Sequence, residues 1–363
     1  MKQDLIRWGI MGTAGIARKS WKGIQLTGNS VVTAVASRDL QRSDQFIAEC
    51  QTDSPMPSVP EALGSYEELL ASREVDAVYM PLPTGVRKEW VLRAAQAGKH
   101  VLSEKPCAVS VADLEEMLGA CRKAGVLFMD NVMFVHSDRF KRIHEALQGD
   151  EAIGEMKRMT SAFSFLGDMD FFTHNIRVNS QLEPLGCLGD LGWYCIRFFL
   201  SVMKWQMPIE VRGWNLFEAG GGESPGAVPA EFSGELLFEG GVSGSFYCSF
   251  VADTQQWAIV SGTGGILQVS DFVLPSAGEE LAYVVRKHNF RKQGCDFRME
   301  MSEQTNLTRE ASHGAPTAQE VNCFRNFADQ ILSGQSNEEW FEAALKTQTV
   351  ANACLDAARK DVQ

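Results

Sequence analysis

The side chains suited to chemistry gather in a few short stretches. WGIMGTAGIARK places Gly9, Gly12, Ala14, Gly15 and Ala17 where an apolar run gives way to a helical pattern. Small residues there let the backbone turn tightly and aim its N–H groups from a helix N-terminus, where a pyrophosphate binds. Ala14 holds the middle position of a G-x-G-x-x-A pattern in which glycine is usual, so the turn also reads as plain helix-on-strand packing. Ser37 and Arg38 end the second apolar run. A Ser-Arg pair there binds a phosphate, where an acid would bind ribose hydroxyls; the following Asp39 makes a polar turn with a helix N-cap the competing reading. MPLPTG and HVLSEKP close two further runs with stiff polar loops, and ligands of α/β sheets sit beyond the carboxyl ends of strands. Lys105, directly before Pro106, is therefore placed to meet a ligand. LGCLGDLGWYCIR sets Asp190 and Tyr194 four residues apart, on one helix face. An N-cap and a core aromatic are the plainer roles for that pair.

The elements that must hold these residues follow from the hydrophobic pattern. Strands are expected at Ile6 to Met11, Val31 to Ser37, Asp76 to Met80, His100 to Ser103 and Val126 to Met129. Helices fall between them at Ile16 to Thr27, Asp39 to Cys50, Tyr66 to Ala71, Arg87 to Ala97 and Ala112 to Lys123. That alternation predicts βαβ units and a doubly wound parallel sheet. Beyond about residue 130 the segments Glu155 to Phe165, Glu210 to Phe217, Glu231 to Phe238, Val242 to Phe250, Trp257 to Ser261 and Ile266 to Phe272 alternate apolar with polar residues. Consecutive strands of this kind predict a mostly antiparallel sheet, joined by helices at Asp190 to Met203, Thr317 to Leu332 and Glu338 to about Arg359. The expected organisation is an α/β protein with a Rossmann domain over 1–130 and a substrate-binding and dimerisation α/β domain over 131–363.

A chain of 363 residues has room for two cores, and 45% hydrophobic with 22% charged residues is an ordinary globular balance. Its 34 basic residues against 46 acidic ones give a net charge of −12, which repels phosphate polymers and anionic bilayers and argues against nucleic-acid or membrane partners. No apolar run approaches the roughly 18 residues of a membrane span, and the opening MKQDLIRWGIMG mixes charge into its apolar run, unlike a signal peptide. Nine cysteines without a C-x-x-C read as reduced thiols in a cytoplasmic protein. His136, His144, His288 and His313 have no metal-ligand spacing, so no metal is expected.

The ordered set GIMGTAGIARK, ASR, YMPLPT, GKHVLSEKP and LGCLGDLGWYCIR resembles the Gfo/Idh/MocA oxidoreductase family over nearly the whole chain. FSFLGDMDF and HNIRV are similar to stretches of the branch holding dimeric dihydrodiol dehydrogenases and NADP-dependent D-xylose dehydrogenases. The resemblance implies hydride transfer between NADP, or NAD, and a hydroxyl or carbonyl of a small polyhydroxylated ring, with a homodimer or higher homo-oligomer. It puts the cofactor on Gly12, Thr13, Ala14, Gly15, Ile16, Ser37, Arg38, Pro81, Leu82, Thr84, Glu104, Lys105 and Asn131. Lys105, Tyr194 and Asp190 become the catalytic group, with Arg177 and Asp190 toward substrate. A hydroxyl under oxidation must lose a proton, and a phenol of ordinary pKa near 10 serves at neutral pH only beside a cation, here Lys105. Arg177 lies among Asp168, Asp170, His174 and Asn175, a cluster that also reads as a solvated loop. Two departures stand out: Arg87 takes the place of a histidine common in the family, and Asp130-Asn131 that of Glu-Ala. A non-enzymatic dinucleotide sensor and an NAD-dependent glycoside hydrolase are the alternatives; retention of Lys105 and Tyr194 speaks against the first, and Ser37-Arg38 against the second.

Overall fold

The computed structural model describes residues 5–360. The first apolar runs form β1 (Ile6–Met11), β2 (Ser30–Ala36), β3 (Glu61–Leu63), β4 (Ala77–Met80), β5 (His100–Ser103) and β6 (Phe128–Asp130), a parallel sheet in the order β3-β2-β1-β4-β5-β6. These strands read as mostly apolar runs because helices cover a parallel sheet on both faces. The helices are α1 (Gly15–Gln25), α2 (Leu40–Asp53), α3 (Tyr66–Ala71), α4 (Thr84–Gln96) and α5 (Val111–Ala124). Asp39, Ser65 and Ser110 cap α2, α3 and α5 with their side chains. The strand order reverses between β1 and β4, the switch point at which such sheets bind ligands. The three-residue β3 lies in a Pro-rich connection whose pattern did not predict a strand.

The second unit begins with α6 (Asp138–Leu147) and α7 (Asp150–Ile153), then β7 (Met156–Leu166) and α8 (Met169–His174). A π-helical turn, Leu188–Gly192, leads into α9 (Trp193–Val202), which is apolar nearly all round and buried at every residue except Ser201. Next come β8 (Glu210–Ala219), β9 (Val228–Leu237), β10 (Ser243–Ser249), β11 (Val251–Gly262), β12 (Ile266–Val269), β13 (Leu281–Gln293) and β14 (Asp296–Thr308). They make an eight-stranded sheet in the order β14-β13-β12-β11-β7-β10-β9-β8, antiparallel except at the β7–β10 pair. The β13–β14 hairpin was not expected from sequence, since residues 287–302 face solvent on both sides and carry no burial pattern.

The chain then forms α10 (Gln319–Ser333) and α11 (Glu338–Lys360). The two compact units are built from discontinuous pieces: Gln181–Pro184 and His313–Gln348 join the first, which otherwise ends at His136. The hydrophobic pattern alone suggests a linear division at residue 130, without these later pieces of the first unit. The physical reason is Trp8, fully buried on β1, whose ring lies 5.2 Å from Phe324 and 5.6 Å from Phe327 on α10. Residues 1–4 and 361–363 of the expected domains lie outside the described residues. All nine cysteines are free thiols, with Cys295 alone exposed. Among the described residues no helix is long and apolar enough to cross a membrane, and no cluster of three His, Cys, Asp or Glu side chains is placed to hold a metal.

Candidate active site

β1 delivers the chain to Gly12, whose φ of 110° is open to glycine and strained for other residues. A Cβ there would lie 3.3 Å from Leu82 and 3.7 Å from the Tyr66 hydroxyl, so Gly12 forms a notch between those two side chains. Ala14 is the N-cap residue of α1, extended and without a capping side chain, and the first turn contains no acid. Thr13 and Ala14 are half-buried, Gly15 and Ile16 are exposed, and nothing lies within 4 Å of a Cβ built on Gly15. The orphan N–H groups of this helix end, and its partial positive charge, are open to an anion. That arrangement fits a dinucleotide pyrophosphate.

Arg38 is exposed at the end of β2, and its charge partly offsets the burial that pushes the Tyr66 phenol up. The Ser37 hydroxyl donates to the Asp39 carbonyl at 2.6 Å and accepts from the Asp39 N–H at 3.1 Å, closing the turn. The Asp39 carboxylate accepts from the Gln41 N–H, which leaves Arg38 as the charged group of this corner not committed to capping.

Pro81 and Leu82 are buried at the end of β4. The Thr84 N–H and hydroxyl donate to the Glu183 carboxylate at 3.0 and 2.6 Å. Glu183 thereby supplies the cap that Pro83 cannot give α4, with Gly85 donating its N–H to Leu182 at 2.9 Å. At the end of β5, Glu104 accepts from the Tyr79 hydroxyl at 2.6 Å and from Asn131 at 2.7 Å. Cys323 donates in turn to Asn131 at 3.2 Å. Burial first, then the Glu104 charge, hold the Tyr79 phenol well above its usual range, so it remains a donor. Glu104 and Asn131, expected as cofactor contacts, are thus tied into a buried polar chain. Lys105 is half-buried, and its bond to Pro106 is cis. Arg87 is 2% exposed and donates to the carbonyls of Leu82 and Pro106.

In the second unit Gly186 starts the helical segment that carries Asp190 and Tyr194 with φ of 50°, and a Cβ there would lie 2.1 Å from the Pro229 carbonyl oxygen of β9. Gly192 closes the π-turn, where a Cβ would lie 2.9 Å from Leu188 and 3.2 Å from Cys248. Asp190 is therefore inside a π-turn, not at the N-cap of a regular helix, and the four-residue step to Tyr194 crosses from π- to α-geometry. The Asp190 carboxylate accepts from Arg177 Nε at 2.8 Å, so the two expected substrate contacts pair with each other. Tyr194 is 8% exposed and meets Phe163 edge-on at 5.5 Å. Asp168 and Asn175 cap local turns, and Asp170 binds His174 at 3.0 Å.

Sequence reasoning missed Tyr79, Glu183 and Cys323, and left Arg87 without a role. A hydroxyl inside the apolar strand AVYM, which needs a buried acceptor, was the available signal for Tyr79. Glu183 had none, because its partner lies about a hundred positions earlier in the chain.

A family model described as an oxidoreductase family with an NAD-binding Rossmann fold matches residues 6–132, over the sheet and open helix end described above. The first unit is thus the nucleotide-binding part of an oxidoreductase. A GFO/IDH/MocA C-terminal domain model matches residues 140–268. The trans-1,2-dihydrobenzene-1,2-diol dehydrogenase of Mus musculus is 32% identical over 75% of this chain and 76% of its own length. D-xylose 1-dehydrogenase (NADP(+)) 2 of Haloferax volcanii is 32% identical over 76% of this chain and 80% of its own. Among solved structures, KijD10, a 3-ketoreductase from Actinomadura kijaniata in complex with NADP and TDP-benzene, superposes with a TM-score of 0.79 at 25% identity, covering 98% of both chains. The chain belongs to the Gfo/Idh/MocA oxidoreductase family, as its motifs implied.

Proposed function

We propose that this enzyme transfers a hydride between NADP(H) and a hydroxyl or carbonyl carbon of a polyhydroxylated ring, a sugar, sugar derivative or trans-dihydrodiol. The observation that carries the cofactor half is the uncapped, acid-free N-terminus of α1 opening from Gly12, with the Arg38 cation at the neighbouring strand end. The named activities of the relatives support the substrate half. NADP(H), when bound, supplies or accepts the hydride; the chain handles the proton. Tyr194 exchanges it with the substrate oxygen, Lys105 lowers the cost of the phenolate, and Asp190, fixed by Arg177, orients the hydroxyl. Assaying aldoses, anhydrosugars and dihydrodiols for NADP reduction, and their carbonyl forms for NADPH oxidation, tests this reading. No turnover across the panel would overturn it.

Arg38 is the basis for NADP over NAD, because a guanidinium pairs with a phosphate in a bidentate fork and a bare ribose hydroxyl offers it much less. In calorimetric titrations NADP binds more tightly than NAD, and Arg38→Ala weakens NADP about tenfold or more while changing NAD by less than about threefold. Equal weakening of both would remove Arg38 from that role.

We also assign the enzyme to the cytoplasm, where nine free thiols are stable, and to a homodimer or larger homo-oligomer. The alternating side chains Glu231, Ser233, Ser245 and Tyr247 leave a partly exposed, largely polar sheet face. The β13–β14 hairpin adds an apolar one: Phe290 is paired with Met299 and Lys292 with Phe297, so Phe290, Phe297, Met299 and Met301 share one side, each more than half exposed. Exposed patches of this kind mark association surfaces. Light scattering at micromolar concentration should give at least twice 40.1 kDa; a monomer mass would contradict the assignment.

A further inference from the structure

Arg87 sits on α4 with its side chain fully inside the first unit, 2% exposed, and burial pulls its pKa down. Burying a guanidinium costs several kcal/mol unless its donors are satisfied, and a methionine or leucine would fill such a core space at lower cost. Its donors go to two carbonyl oxygens instead of a carboxylate. Nε, at 3.1 Å, and Nη2 bond Leu82 in the loop after β4, and Nη1 bonds Pro106 in the loop after β5. The Thr84 hydroxyl adds a contact to the same Pro106 carbonyl at 3.4 Å. Both loops lie past the ends of their strands, where the sheet ladder no longer supplies donors, so buried carbonyls there need a side chain. One planar fork can serve two separated acceptors at once.

The consequence falls on the residue between these anchors. On one side of Lys105, Glu104 is held by Tyr79 and Asn131; on the other, Pro106 is held by Arg87. We infer that Arg87 is a positioning residue for Lys105, clamping the loops after β4 and β5 together so that the lysine is presented from a fixed backbone. This rests on the proposed hydride-transfer role of Lys105. It also gives the arginine at this position a task of its own.

The test compares Arg87→Met, which keeps the volume and removes every donor, with Arg87→Lys, which keeps a charge and enough donors for both carbonyls. Amide exchange of the free enzyme is read by mass spectrometry, beside steady-state kinetics and NADPH affinity. In Arg87→Met, peptides covering 81–86 and 104–110 should exchange about tenfold faster or more, with β1 and α10 unchanged. Turnover should fall about 100-fold, with KM and NADPH affinity within about threefold, the pattern of a misplaced group rather than a lost binding contact. Arg87→Lys should recover most of both effects. Unchanged exchange at 104–110, normal turnover in a folded Arg87→Met, or faster exchange throughout the first unit would each overturn the clamp. Should Arg87→Met fail to fold, Arg87→Gln carries the same readouts. If the wild-type enzyme turns over nothing in the substrate panel, the functional reading fails, and the exchange result alone decides whether Arg87 holds the loops.

Discussion

Tyr194→Phe should lower turnover about 100-fold or more while NADP affinity stays within about twofold to threefold. Hydride cannot leave a carbinol carbon unless the hydroxyl proton also leaves, and an acid–base group is worth roughly two to four orders of magnitude in rate. The phenol that would take that proton is 8% exposed, so bulk water is a poor substitute at that spot. In the proposed mechanism Lys105→Ala should do at least as much damage, because the role proposed for that lysine combines positioning of the substrate with the cation that a phenolate needs at neutral pH. The double variant should be little worse than Lys105→Ala alone, since groups acting as one unit are not lost twice. Single-turnover measurements with deuterated cofactor establish that chemistry is being read. Near-normal turnover of Tyr194→Phe under those conditions would move the proton-transfer role elsewhere, with Asp190 the next candidate.

Gly186→Ala should be the most destabilising conservative change in the second unit, at about 3 kcal/mol or more. Its backbone adopts φ of 50°, and the added methyl would stand 2.1 Å from the Pro229 carbonyl oxygen, an atom fixed in a β-sheet and unable to swing away. Either the helix start or β9 must shift, and the shift passes along the π-turn that carries Asp190. Gly119→Ala is the control: it lies within α5, nothing stands within 4 Å of its added Cβ, and alanine is the better helix former, so stability should rise by about 0.5–1 kcal/mol. Urea unfolding of the three proteins measures both. A Gly186→Ala midpoint equal to wild type would mean that the close approach to Pro229 is easily relaxed.

Much of this was legible before any coordinates, for reasons that differ by element. The parallel strands of the first unit announce themselves because burial on both faces demands mostly apolar runs, as in AVYM and, apart from Arg7, in IRWGIM. The turn at Gly12 was legible because only glycine and small residues suit it. The β13–β14 hairpin was not, since residues solvated on both sides obey no period. The placement of α10 was hidden because Trp8 meets Phe324 across most of the chain length. At the site, residue types identified Lys105 and Tyr194 as candidates through their motifs, but partners depend on geometry. Ser37 turned inward to its own loop, Thr84 to Glu183, and Arg177 to Asp190. Each of these residues has a polar side chain able to serve a ligand or a neighbour, and sequence spacing alone does not choose between the two.

The return of α10 to the first unit also bears on the order of events during synthesis. When residues through β6 have left the ribosome, Trp8 still lacks Phe324 and Phe327, and the nucleotide-binding sheet is missing part of its cover. Roughly two hundred more residues must be translated before α10 exists, which at about 5–20 residues per second is some ten to forty seconds. For that interval the nascent sheet exposes an indole-lined seam to chaperones and to neighbouring chains. The second unit, by contrast, has its whole eight-stranded sheet in hand by Thr308. The nucleotide-binding half, first to be begun, therefore waits for α10 long after its own six strands are made, and truncation after residue 130 should release an aggregation-prone fragment rather than a free-standing domain.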